Sequence, residues 1–127
     1  MTRVALKVDL TPLKNEACEI IDAQAEVERA KYVTAGALQA MTYQAKNAEA
    51  VDFLNGGTGP FPLLLAESTA LGISLSELAI TVNNMAKQWI QISSVIEAKR
   101  IGAKAAIKNA TTPAAIKAVM VDWQING

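Results

Sequence analysis

The chain has 127 residues, 12 basic and 12 acidic side chains, 51% apolar composition, one cysteine and no histidine. That length suits one domain, since a single core organises roughly 100–200 residues, and zero net charge supplies no field that would gather nucleic-acid phosphates or anionic lipid. Without histidine there is no serine–histidine triad and no common proton shuttle, and a lone cysteine makes neither a zinc ligand set nor an internal disulfide.

Of the apolar residues 23 are alanine, and only six residues in the chain are aromatic. Alanine orders in a helix without losing side-chain entropy. The composition therefore favours thin helical bundles that approach closely and leave faces for copies of the chain or for a partner. No apolar run reaches the ~18–20 residues that span a bilayer, and the opening Met1-Thr2-Arg3-Val4-Ala5-Leu6-Lys7 lacks the apolar core of a signal peptide. The expectation is a chain that stays in the cytoplasm where it is made, with no nucleic-acid or membrane partner, no metal and no cofactor.

Residues 3–10 alternate Val4, Leu6, Val8 and Leu10 with Arg3, Ala5, Lys7 and Asp9, the period of a half-buried strand. No second strand is offered by the sequence. The row of backbone N–H and C=O groups on such a strand would need a partner from outside, the alternative being a disordered or extended tail laid against the chain's own helices. Residues 1–11 are thus read as an extended docking segment and residues 12–127 as the helical domain, with Val4, Leu6, Val8 and Leu10 as partner-binding positions.

Thr11-Pro12 supplies an N-cap and a proline at the first helical position. From there to about Leu54 there is no proline and one glycine, Gly36, which predicts one helix of ~60 Å, straight or bent at Gly36. Cys18, beside Ala17, Ile20 and Ile21, reads as a small buried apolar residue. Asn55-Gly56-Gly57-Thr58-Gly59-Pro60-Phe61-Pro62 ends that helix and is expected to be the only major break. A short helix follows from Pro62 to Ala70, closed by Gly72, with Leu71 and Ile73 expected to be buried at the corner. Ser74 and Glu77 form a capping box for the next helix, Leu75 to about Asn109.

That helix carries the most regular stripe in the chain: Leu75, Leu78, Val82, Met85, Trp89, Ile92 and Ile96, spaced three and four apart. These are expected to face the first helix, and Ile92→Ala is expected to cost about 2–5 kcal/mol. Thr111-Thr112-Pro113 repeats the cap-then-proline signal, and a last short helix is expected to run to about Trp123. The fold class is therefore all-α: a long antiparallel helical hairpin with short helices at the joint and the C-terminus, preceded by an extended or β N-terminal segment.

Candidate chemistry is sparse. Gly56-Gly57-Thr58-Gly59 lacks the preceding strand and following Gly-Lys-Ser/Thr of a phosphate loop and reads as a joint. Glu16, Glu19, Asp22, Glu26 and Glu28 read as a solvated, negatively charged helix start. Arg100, Lys104 and Lys108, four apart on one face, suit an anion clamp or simply the negative end of a helix dipole. Trp89 reads as core. Trp123 is open between docking on its own bundle and anchoring a neighbour, and joins the partner-binding candidates.

The order of signals from Tyr43 to Trp123 resembles small helical proteins of the tail modules of tailed bacteriophages, associated with the tail fibre or baseplate. It runs Tyr43-Gln44-Ala45-Lys46-Asn47-Ala48-Glu49-Ala50, the Pro-rich joint ending Pro62-Leu63-Leu64, and Gly72-Ile73-Ser74 opening a helix with Trp89. Ile96-Glu97-Ala98-Lys99-Arg100, Ala105-Ala106-Ile107, Thr111-Thr112-Pro113 and Trp123 complete it. The resemblance implies a non-enzymatic structural part of a virion tail, made in the host cytoplasm, contacting other tail proteins and present as a homo-oligomer. The trimeric fibres of the resembled system favour a trimer. The alternative is a cytoplasmic tail-fibre assembly chaperone that leaves before the particle is finished.

Overall fold

The computed structural model describes residues 8–33 and 37–125. The described residues are all-α, with no strand among them. Five helices follow in order: α1 (Thr11–Ala30), α2 (Ala37–Leu54), α3 (Pro62–Leu71), α4 (Leu75–Asn109) and α5 (Pro113–Lys117).

The local signals explain most of these boundaries. The capping box forms as expected: the Glu77 N–H donates to Ser74 Oγ at 3.0 Å, and the Ser74 N–H donates to Glu77 Oε2 at 3.4 Å. The Thr112 hydroxyl oxygen accepts from the Ala115 N–H at 3.0 Å and starts α5. Gly72, at φ +68°, closes α3 in a Schellman arrangement. Its N–H donates to the Thr69 carbonyl, and the Ile73 N–H donates to the Ser68 carbonyl at 3.1 Å. The joint between α2 and α3 relies on Gly56 and Gly59, both at positive φ, a conformation that costs a residue with a Cβ.

Four expectations are corrected. The first long helix is two helices: α1 stops at Ala30, capped by Lys31, and residues 31–33 lie outside any helix, so the joint near residue 55 is not the only major break. The sequence there, Tyr32-Val33-Thr34 followed by Gly36, strings β-branched and aromatic residues before a glycine, the weaker helix formers. At the start of α1 the N-cap position is Leu10 and Thr11 is already helical, while Asp9, one residue earlier, accepts the Thr11 N–H on Oδ1 at 3.0 Å. That N–H holds the Asp9 carboxyl below the ordinary range. The last helix ends at Lys117, and residues 118–125 are not helical. Leu71 and Ile73 are exposed, because the Schellman turn folds the backbone between α3 and α4 and leaves both side chains outside. The chain turns through 110° there.

Two compact units are present. One runs to Lys31 and resumes at Ser94; the other is Tyr32–Ser93, so α4 contributes to both. In the first unit Ile21 of α1, Ala103 and Ile107 of α4, and Ile116 of α5 are buried together, with Leu10, Leu13, Ala17, Cys18 and Trp123 packed around them. Ion pairs and hydrogen bonds join Lys14 to Lys108, Asp22 to Arg100 and Lys104, and Arg29 to Glu97, so α1 and this part of α4 run antiparallel. In the second unit Ala50 of α2, Leu64 of α3, and Leu78, Ala79 and Val82 of α4 form the core, edged by Phe53, Phe61 and Leu75. The Phe53 and Phe61 rings meet edge to face, 5.4 Å apart.

The α4 stripe is therefore split in its use. Leu78, Val82 and Ile96 are buried, Leu75, Trp89 and Ile92 are half-buried, and Met85, expected in the core, is 60% exposed. Met85 lies one turn beyond Val82, the last α4 residue of the second unit's core, and joins neither apolar cluster among the described residues.

Candidate interaction surfaces

The longest polar network of the first unit among the described residues is a chain of six alternating charges across α1 and α4, running from Glu26 through Arg29, Glu97, Arg100 and Asp22 to Lys104. Asp22 accepts from Arg100 at 2.8 Å and from Lys104 at 3.0 Å. Glu97 accepts from Arg100 at 2.7 Å and from Arg29 at 2.7 Å. Arg100, followed by Lys104, holds the Asp22 carboxyl below the ordinary carboxylate range, and Arg100 does the same for Glu97. Glu97 first and Asp22 second push the Arg100 guanidinium up. Arg100 and Lys104, candidates for an anion clamp, thus have their charge met within the chain, and Asp22 is a partner in this network instead of a purely solvated acid. Lys108 offers its backbone carbonyl to the Lys14 ammonium. Asp22 and Arg29 sit seven residues apart on α1, one face of a helix, but only the fold shows that this face meets Glu97, Arg100 and Lys104.

In the second unit a carboxylate does the work of a helix cap. The Leu63 and Leu64 N–H groups, free at the start of α3, donate to Glu49 Oε1 at 2.9 and 3.1 Å. Lys46, one turn earlier on α2, pairs with Glu67 of α3 at 3.1 Å. Glu49 lies within the Tyr43–Ala50 segment that carries part of the tail-protein resemblance, and here it ties α2 to α3.

The candidate partner-binding residues are distributed as follows. Val4 and Leu6 lie outside the described residues. Val8 is 69% exposed and non-helical, while Leu10 is half-buried against the first unit's own core. Trp123 also packs on that core, and its indole N–H donates to Gln24 Oε1 at 2.9 Å. Of the two roles open to Trp123, the structure shows docking on its own unit. The Lys99 ammonium holds the segment around it by donating to the Asp122 and Gln124 carbonyls.

What sequence reasoning missed is a surface beside that segment. An open groove of about 410 Å3 lies between α1 and residues 116–121. Its walls are Leu13, Ala17, Ile20, Ile21, Ile107, Ile116, Val119, Met120 and Val121, with Glu16, Gln24 and Lys117 among them. Ile20 is 51% and Met120 88% exposed. The heptad step from Leu13 to Ile20 to Val27 was a readable signal for a second apolar face on α1. Among the described residues no group of acidic and cysteine side chains is placed to hold a metal ion, and no single helix is long and apolar enough to cross a membrane. Comparison with protein-family models, with curated proteins and with solved structures finds no match to this chain.

Proposed function

We propose that the protein is a structural component of a bacteriophage virion tail, associated with the tail fibre or baseplate, that works by protein–protein contact in repeated copies and not by catalysis. The observation that carries the interaction reading is the balance of its apolar surface. Among the described residues more large apolar side chains are exposed than are buried, including Ile20, Val27, Leu65, Leu71, Met85, Ile90, Ile101 and Met120. Exposed apolar surface on this scale is what association would cover. The assignment to a tail rests on the resemblance from Tyr43 to Trp123. Val4, Leu6 and Val8 remain proposed contacts to another tail protein, as part of a docking strand.

Mass spectrometry of purified particles of the encoding phage tests this directly. The protein is expected in the particles at a fixed copy number. Its absence from particles, with abundance in infected cells, would replace the structural reading with that of an assembly chaperone.

A further inference from the structure

We propose that the groove between α1 and residues 116–121 is the contact between two copies of the chain, related by a twofold axis. The proposal rests on the reading that the protein works in repeated copies, and it assigns that association to a place.

The groove is apolar along its floor and carries one charge of each sign, Glu16 on α1 and Lys117 at the end of α5. Neither makes a hydrogen bond or ion pair among the described residues, whereas Arg29, Lys99, Arg100 and Lys104 of the same unit are all engaged. An isologous contact brings residue i of one copy to residue j of the other, and j to i. Glu16 of each copy then meets Lys117 of its partner, so the contact forms two such pairs per dimer and meets every one of these charges once. Glu16 and Lys117 border one and the same groove, so a single self-complementary patch suffices, which favours a twofold pair over the trimer implied by the tail resemblance.

Met120, 88% exposed, supplies a flexible side chain able to fill an irregular apolar groove on the partner. Zero net charge removes long-range repulsion between copies. A small-molecule occupant is disfavoured, since the groove is open and lacks several convergent polar groups.

Sedimentation of the full chain over a concentration series provides the test, with Glu16→Lys, Lys117→Glu, the double variant and Met120→Glu. The wild-type chain is expected to form dimers. Each single charge reversal sets two like-charge pairs in every dimer and is expected to weaken it by at least about tenfold. The double variant, which swaps the signs, is expected to return to within about threefold of wild type, and Met120→Glu to dissociate the dimer. Glu16, Lys117 and Met120 are exposed, and circular-dichroism melts would show whether each variant keeps its fold.

A monomer at every concentration, a trimer, or a double variant no better than the single ones would overturn the proposal. So would a monomer destabilised by removing residues 2–7, since the groove would then belong to the chain's own first residues. Presence in particles is read separately: rescue by the double variant in a protein absent from virions would sink the tail reading and leave the interface standing.

Discussion

At the residue scale, burial divides side chains that the sequence places in one stripe. Ile96 is fully buried and Met85 is mostly exposed, although both sit on the same three-four pattern along α4. Removing a buried isoleucine loses its transfer energy and leaves a cavity, whereas trimming an exposed methionine opens no cavity. Ile96→Ala is expected to cost about 2–5 kcal/mol and Met85→Ala well under about 1 kcal/mol, read from denaturant midpoints at unchanged slope. Equal costs would show that Met85 is covered in solution. Half-buried Ile92, the position that pattern alone selects for this substitution, should fall between them. Periodicity reports which side of a helix is apolar, but how deep each residue lies depends on the neighbour opposite.

At the element scale, the helix starts and stops were the most readable features, because capping is local chemistry. Ser74 with Glu77, Thr112 before Pro113, and Gly72 at positive φ each act within a few residues of where they stand in the chain. The division of the first long helix at Lys31 was less readable, since single weak helix formers are often overridden by packing. The pairing of α1 with α4 was not readable at all: Asp22 meets Arg100 across 78 positions and Arg29 meets Glu97 across 68. That pairing carries a pH dependence. Asp22 and Glu97 have pKa values below their ordinary 3.8 and 4.5, so they bind protons less readily when folded than when unfolded. Their stabilising contribution is fully present above those ordinary values and is lost as pH falls through the lower folded ones. Acid titration of thermal stability is expected to show a decline below about pH 4.5 that is shallower in the Asp22→Asn, Glu97→Gln double variant. High salt should shrink the difference, because these groups are partly exposed. Identical acid profiles would mean the network contributes nothing to stability.

At the scale of the whole molecule, composition made the all-α class legible, since so much alanine and so few glycines and prolines outside short joints leave little else. It did not reveal that the described residues form two cores. A single apolar stripe along α4 looks continuous in sequence, yet Leu78 and Val82 pack with Ala50 and Leu64, while Ala103 and Ile107 pack with Ile21 and Ile116. Each core is small and depends on a few fully buried side chains, chiefly Leu64 in one and Ile107 in the other. Local opening follows the contacts that hold a region closed, so a cavity in one core should raise hydrogen exchange first in the elements that line it. Leu64→Ala is expected to speed amide exchange in α2, α3 and the first part of α4. Ile107→Ala is expected to do so in α1, α5 and the last part of α4. Both should be measured at a temperature where global unfolding is rare. Matching exchange maps for the two variants would mean that the cores open as one cooperative unit, with the division between them visible in packing but absent from the energetics.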